Sequence, residues 1–250
     1  MRLTRIYVDA PLAAGAAVPL PPGPAQHLAR VLRLPAGAPL RAFNGHGGEF
    51  DAVIESIQRD AVLLRIGAHR HSGTESPLQV TLLQGIARGE KMDLILQKAT
   101  ELGVSAVVPV TASRSTVKLD ERTAERKLLH WQGVVTGACE QCGRDRIPAI
   151  APPATLPAAV AASQAQLKLL LVPEAAAGTL KTLLAAAAGA AHAPSICLLV
   201  GPEGGLDPQE VAQAKSAGFR PCQLGPRVLR TETAALTALA VLQSLAGDLT

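Results

Sequence analysis

The segment VGPEGGLDPQE, residues 200–210, follows the apolar run SICLLV and carries Gly201, Gly204 and Gly205 within five positions. Glycine density between a strand and a helix lets backbone come close to a phosphate, a base or a neighbouring stretch of chain. The spacing is not G-x-G-x-x-G and no Gly-Lys-Ser/Thr follows, so neither the dinucleotide fingerprint nor a P-loop is present. The helix beyond it is well specified, with Asp207 as N-cap, Pro208 at N1 and Glu210 at N3 completing a capping box. The glycines before it lack such an explanation, because a plain strand-to-helix turn needs one. A second turn, LGPRVLRTETAAL (224–236), follows the apolar run FRPCQL and precedes a helix capped by Thr231. Gly-Pro pairs at 201–202 and 225–226 thus close two strands. Ligands of open α/β sheets bind beyond the carboxyl ends of strands. Two such loops side by side offer backbone N–H and C=O groups to a planar polar ligand. From spacing alone, two tight turns explain the pattern equally well.

Other chemistry is sparse. Cys139 and Cys142 form one CxxC in ACEQCGR, and no second CxxC completes a tetrahedral zinc site. Cys197 and Cys222 stand singly in apparent core strands, so reduced cysteines and no metal are expected. Hydrophobic residues make up 48% and charged ones 18% of 250, which suits a well-buried core in one large or two modest domains. No apolar run reaches the roughly 18 residues of a membrane span. MRLTRIYVDAPL lacks a signal peptide's apolar middle, and a cytoplasmic location is expected. A net charge of +4 mildly favours an anionic partner, while 2% aromatic content argues against base-stacking platforms.

The elements that must position these loops follow from periodicity. TRIYV, the two halves of PLRAFNGHGGEFDAVIESI and AVLLRIG read as strands. PAQHLARVLRL has helical spacing, with Leu28, Val31 and Leu32 on one side and Arg30 and Arg33 elsewhere. These suggest a small β-barrel with an inserted helix over 1–70, and the polar segment RHSGTESP gives a linker at 71–77. From 78 to 250 strands and helices alternate: LQVTLLQGI, then a helix in GEKMDLILQKATELGV stopped by Gly103, then SAVVPV. A long helix runs from about Asp120 to Cys142, with Leu128, Trp131, Val135 and Cys139 on one face. LKLLLV, SICLLV and FRPCQL are buried parallel strands by pattern, and a last apolar helix spans about Glu232–Leu245. PPATLPAAVAAS enters a short helix, while the alanine runs at Ala158–Ala162 and Ala185–Ala193 read as tolerant connections. The architecture is α/β with a β-rich N-terminal part.

RGEKMDLILQKATELGV, ACEQCGR, VGPEGGL and LGPRVLRTETA, in this order, closely resemble the RsmE family, bacterial methyltransferases that modify N3 of a uridine in 16S rRNA. The match extends over nearly the whole chain, including HLARVLRL near the N-terminus. The resemblance implies a SPOUT-type parallel-sheet domain with a C-terminal trefoil knot, although knots are otherwise almost absent from proteins. It also implies a PUA-like RNA-binding β-barrel, a homodimer and an S-adenosylmethionine (SAM) site built from the knot loops.

By this resemblance Leu199, Val200, Gly201, Pro202, Gly204 and Gly205 form one wall of the cofactor pocket. Leu224, Gly225, Leu229, Arg230, Thr231, Thr233 and Ala234 form a second, and Leu171, Val172 and Pro173 close a third side. Uridine N3 carries a proton at neutral pH, so something must remove it or stabilise the charge that develops on the base. Arg230 is the candidate for charge stabilisation, with a helix-entry pair to Glu232 or Glu203 as its structural alternative; Glu203 and Glu232 are candidate bases. For RNA, Arg5, His27, Arg30 and Arg33 are expected to form an N-terminal patch that Arg88, Lys91, Arg114 and Arg144 extend. The expected partner is 16S rRNA, within the assembled 30S subunit. The alternatives are a SPOUT enzyme acting at another RNA position, a non-catalytic assembly factor and, weakened by the missing P-loop, a nucleotide-phosphate enzyme.

Overall fold

The structure, a computed structural model, describes residues 3–59, 61–115, 117, 120–173, 178–187 and 194–249. The chain forms two compact units, one of residues up to Glu75 with Cys139–Ile147, the other of Ser76–Ala138 with the chain from Pro148 onward.

In the first unit, strands β1 (Arg5–Tyr7), β2 (Ala17–Pro19), β3 (Pro39–Phe43), β4 (Glu49–Gln58) and β5 (Ala61–Arg70) form a sheet in the order β1-β3-β4-β5-β2. All neighbours are antiparallel except β1 and β3. Alternation selects the buried face: Ala52 and Ile54 point inward while Val53 and Glu55 do not, and Val62, Leu64 and Ile66 repeat the period on β5. Asp60, between β4 and β5, lies outside the described residues.

Helix α1 (Pro22–Gln26) runs into a π-helical turn, His27–Val31, closed by hydrogen bonds from Leu32 N–H to His27 and from Leu34 N–H to Leu28. This corrects the expected packing of Leu28, Val31 and Leu32 on one side. Leu28 is fully buried, but Val31 is 67% and Leu32 40% exposed. The wider i→i+5 turn breaks the i, i+3, i+4 stacking on which the expectation rested. Arg33 then ends the turn in the left-handed region at φ +52°.

Two arginines organise the rest of this unit. Arg5 donates to Glu49 and to the carbonyl of Arg144, and Arg144 donates to the Glu75 carboxylate through Nε at 3.1 Å and Nη2 at 2.8 Å. Both guanidinium side chains are over nine-tenths buried. Charges so buried must be paired, and this corrects the expectation that Arg5 and Arg144 join an exposed RNA patch. Thr74 donates to the Gly143 carbonyl and Ser72 to Asp145, so the polar stretch expected as a linker at 71–77 is tied down up to Glu75. The ACEQCGR segment, expected within 78–250, contributes Cys139–Arg144 to this unit.

The second unit is built on β6 (Val80–Gly85), α2 (Glu90–Glu101), β7 (Ala106–Thr111), α3 (Glu121–Cys142), β8 (Ala149–Ile150), β9 (Ala154–Thr155), α4 (Leu156–Ala162), β10 (Leu167–Leu171), β11 (Gly178–Thr179), α5 (Leu180–Ala187), β12 (Ile196–Val200), α6 (Pro208–Ser216), β13 (Arg220–Gln223) and α7 (Thr231–Ala246). Among the described residues its strands pair in the order β11-β13-β10-β12-β6-β7-β8, all parallel, with β9 also on β7. β12 is buried at every position, as a central parallel strand covered on both faces must be.

Helices α4 and α6 supply Leu156, Val160 and Ala214 to the core around Leu83, Leu170 and Phe219. Helix α7 packs against α2, α5, β6 and β12. The alanine runs are not loops where they are described: Ala159 and Val160 are buried in α4, and Ala185–Ala187 end α5. From residue 188 the second run lies outside the described residues. The expected Asp120–Cys142 helix is present as α3, with Trp131 and Val135 buried and Leu129 exposed.

Glu140 is a sensor of the first unit's electrostatics. It accepts a hydrogen bond from Tyr7 N–H at 2.9 Å, yet burial pushes its carboxyl up by more than this bond and the nearby His27 and Arg5 pull it down. A raised folded value means that stability is fully present below the ordinary glutamate value and is lost as pH rises through the raised one. Glu140→Gln keeps an acceptor for Tyr7 and removes the buried charge. Thermal melting across pH is expected to show a higher Tm than wild type at pH 8, with the gain disappearing near pH 4.

Candidate active site

The carboxyl ends of β6, β12, β10 and β13 converge on the two Gly-Pro loops. At the end of β6, Gly85 faces the Gly201–Pro202 peptide so closely that a Cβ there would lie 2.3 Å from Pro202 N. Gln84, fully buried, donates from Nε2 to the Gly85 carbonyl and to Thr231 Oγ1, both at 2.9 Å. Thr231 Oγ1 in turn donates to the Gly201 carbonyl at 2.6 Å. The start of α7 is thereby bonded to the loop after β12.

In VGPEGGL, Gly204 lies against a neighbouring segment and Gly205 supplies a left-handed turn. A Cβ on Gly204 would meet the Arg114 carbonyl at 2.9 Å, and Gly205 turns at φ +68°, its N–H bonded to the Pro202 carbonyl. Asp207 caps α6 with the reciprocal Glu210 contact read from the sequence.

A cavity of about 320 Å³ opens beside the other loop. Leu171, Val172 and Pro173 form one side, Cys222 and Gln223 the floor, Leu224 to Leu229 the opposite wall, and Ala234 of α7 a further edge. Of the expected walls, the structure brings together Leu171–Pro173 with Leu224, Gly225, Leu229 and Ala234. Leu199, Val200, Gly201, Pro202, Gly204, Gly205, Arg230, Thr231 and Thr233 do not line this cavity. Sequence reasoning missed Cys222, Gln223, Pro226, Arg227 and Val228. The first two lie at the end of a strand already recognised, and the others sit between expected residues of one loop, so continuity along the chain would have found them. Cys222 is no nucleophile: burial pushes its thiol up to about 12.

The charged candidates differ in their surroundings. Glu203 accepts from Arg88 N–H at 3.0 Å and faces Lys91 Nζ at 3.5 Å. Partial burial alone would raise its carboxyl, but these donors outweigh it and hold the value below the ordinary glutamate range. A carboxylate held ionised in this way is a weak proton acceptor. Glu232, in the first turn of α7, has a buried Oε2 with no hydrogen-bond partner among the described residues. Arg230 is exposed at the N-cap of α7, and no ion pair among the described residues joins it to Glu203 or Glu232. His27, Arg30, Arg33, Arg88 and Arg114 are exposed, and Lys91 is partly so. No group of three or more His, Cys, Asp or Glu side chains among the described residues is placed to hold a metal ion. No helix among them is long and apolar enough to cross a membrane.

An open α/β sheet places ligand sites in a cleft past its strand ends, which is where the cavity lies in this chain. Residues 74–243 match the family model described as an RNA methyltransferase domain, and 25–67 match an RNA methyltransferase PUA domain. The ribosomal RNA small subunit methyltransferase E of Bacillus subtilis is 31% identical over 89% of each chain. Its counterpart in Buchnera aphidicola of Schizaphis graminum is 32% identical over 99% of this chain and 98% of that one. Among solved structures, a Legionella pneumophila methyltransferase with bound SAM shares 40% identity, at a TM-score of 0.93 over 99% of this chain and 100% of that one. The Neisseria gonorrhoeae ribosomal RNA small subunit methyltransferase E bound to SAM shares 36% identity at 0.89 over 100% of both chains. The chain belongs to the ribosomal RNA small subunit methyltransferase E family of RNA methyltransferases. Its fold class is the SPOUT-type α/β domain with a PUA-like N-terminal unit that the resemblance implies.

The contact between Gly85 and Pro202 gives a direct test of this loop arrangement. Gly85→Ala forces the Gly201–Pro202 peptide away from β6 and is expected to cost about 2 kcal/mol or more, as overpacking of a rigid site does. Urea unfolding of the two proteins measures it.

Proposed function

We propose that this chain transfers a methyl group from SAM to N3 of a uridine in 16S rRNA, acting on the assembled 30S subunit as a cytoplasmic homodimer. The observation that carries the reading is the cavity between Leu171–Pro173 and Leu224–Leu229, in a chain 40% identical to a methyltransferase solved with SAM. Its volume lies at the lower end of the range of small-molecule sites. Its lining suits an adenosyl group, with aliphatic faces from Leu171, Val172, Leu229 and Ala234, and backbone donors and acceptors around Gly225. When bound, SAM supplies a methyl group already activated on sulfonium, so alignment and exclusion of water are the main demands on the protein.

Within this reading Leu171, Val172, Pro173, Leu224, Gly225, Leu229 and Ala234 hold the cofactor directly. Gly201 supports that wall through the bond its carbonyl accepts from Thr231. Arg230, exposed and free of the two glutamates, stabilises negative charge on the uracil as N3 loses its proton. Glu232, with one unpaired carboxylate oxygen, is favoured over Glu203 as proton acceptor, because Glu203 is already held by Arg88 and Lys91.

For RNA contact the exposed cations are His27, Arg30 and Arg33 in the first unit and Arg88, Lys91 and Arg114 in the second. Arg33 occupies a left-handed position that glycine would fill at less cost, which favours a role for its side chain beyond the fold. Exposed Leu94 and Leu129, beside a groove lined by Gly133 and Gly137, are a surface of the kind a second copy covers.

Methyl transfer from labelled SAM to 30S subunits, followed by nucleoside analysis, is expected to give 3-methyluridine, and Arg230→Ala is expected to lower the rate at least a hundredfold. Label in another nucleoside would move the target to a different RNA position. SAM binding without transfer to any RNA would favour a non-catalytic assembly factor. Separately, Arg33→Gly is expected to leave stability unchanged or raised by up to about 1 kcal/mol. The same change should weaken RNA binding and reduce its salt dependence by about one phosphate contact.

A further inference from the structure

We propose that Gln84 is a positioning residue for the cofactor cavity, acting through Thr231 to fix the loop after β12 against the start of α7. This inference rests on the SAM reading above.

Gln84 is the penultimate residue of β6 and is fully buried, as is rare for a carboxamide. Its orientation is set by its neighbours. The Gly85 carbonyl can only accept, so the amide nitrogen, not the oxygen, must face it. That places the second N–H of the same nitrogen on Thr231 Oγ1. A hydroxyl approached by a donor must send its own proton elsewhere, and the acceptor within reach is the Gly201 carbonyl at 2.6 Å. Gln84 therefore dictates the direction of the Thr231 hydroxyl, and that hydroxyl bonds the Gly201 carbonyl to the first residue of α7.

The geometry on either side explains why this matters for the cavity. Gly85 has no side chain, so the Gly201–Pro202 peptide lies directly on the end of β6. Thr231 follows the loop whose residues 224–229 wall the cavity, and Ala234, one turn further, lines it. A strand, a loop and a helix N-terminus thus meet in one buried chain of hydrogen bonds, and a buried network loses more than one bond when a member is mismatched. Gln84→Glu is nearly isosteric but has no donor. The new carboxylate opposes the Gly85 carbonyl and offers the Thr231 hydroxyl an acceptor that competes with Gly201. Thr231→Val removes the hydroxyl at constant shape, and Thr231→Ser keeps it.

The test uses the full-length protein at 10 °C, with folding verified by circular dichroism, and reads SAM affinity by calorimetry alongside KM and kcat on 30S subunits. Gln84→Glu and Thr231→Val are each expected to raise the Kd and KM for SAM about tenfold, with kcat at saturating SAM within about threefold of wild type. Thr231→Ser is expected to stay within about twofold. The double variant Gln84→Glu/Thr231→Val should bind SAM no more weakly than the worse single variant, since both break one chain. Gln84→Met, which lacks the donor without adding charge, substitutes for Gln84→Glu if the latter does not fold. Unchanged SAM affinity in folded variants, or fully additive losses in the double variant, would overturn the proposal. Failure of the wild-type protein to bind SAM would instead overturn the cofactor reading itself.

Discussion

The hydrogen bond from the Thr231 hydroxyl to the Gly201 carbonyl joins the two loops on which the site depends. The sheet order puts β13 two strands from β12 and three from β6, yet α7, which follows β13, packs against both of those strands. The chain must therefore pass back across the ends of β10 and β12 before α7 begins, and something must hold it at the crossing. The requirements met there are severe: a carbonyl preceding a proline, a buried carboxamide and a helix N-terminus without a side-chain cap all need partners away from water. Thr231 meets the first and takes one N–H of the second, whose Oε1 has no partner among the described residues, and Gly85 provides the space. The cavity wall at 224–229 inherits its position from that crossing.

The sequence made the site's neighbourhood legible and left its internal geometry hidden. Asp207, Pro208 and Glu210 announced α6 because capping is local chemistry, and the structure shows the capping box they encode. The central strands were equally readable from LKLLLV and SICLLV, because a strand covered on both faces reads as a nearly continuous apolar run. The three glycines left ligand contact and tight turns equally open, and the structure gives a local reason for two of them: Gly204 lies against Arg114 and Gly205 takes a left-handed turn. Nothing local in VGPEGGL reveals which neighbour will arrive, since Arg114 is remote in sequence. Gln84 was passed over for the same reason: within LQVTLLQGI it is one polar residue in a strand, and its meaning comes from Thr231, far along the chain.

The first unit illustrates a related limit, set by charge. Arg5, Arg30, Arg33 and Arg144 look alike in a sequence of modest positive net charge. Folding separates them. Arg5 and Arg144 are buried against Glu49 and Glu75 and hold ACEQCGR to the β-rich unit, while Arg30 and Arg33 are left on the surface beside the exposed Val31 and Leu32. A buried guanidinium cannot serve a phosphate without abandoning its carboxylate. The division between buried and exposed cations therefore depends on which acids lie across the fold. The π-helical turn adds a second departure from pattern, because one extra residue in the turn moves Val31 and Leu32 off the side they were expected to share with the buried Leu28 and onto the surface.

The central claim is that the cavity past the ends of β10 and β13 takes the cofactor. A crystal structure of this protein grown with SAM tests it most directly. The account predicts density for the adenosyl group between Leu171–Pro173 and Leu224–Leu229, with Ala234 at its edge and the Thr231–Gly201 bond intact behind it. Density seated instead against Gly204 and Gly205, outside that cavity, would contradict it.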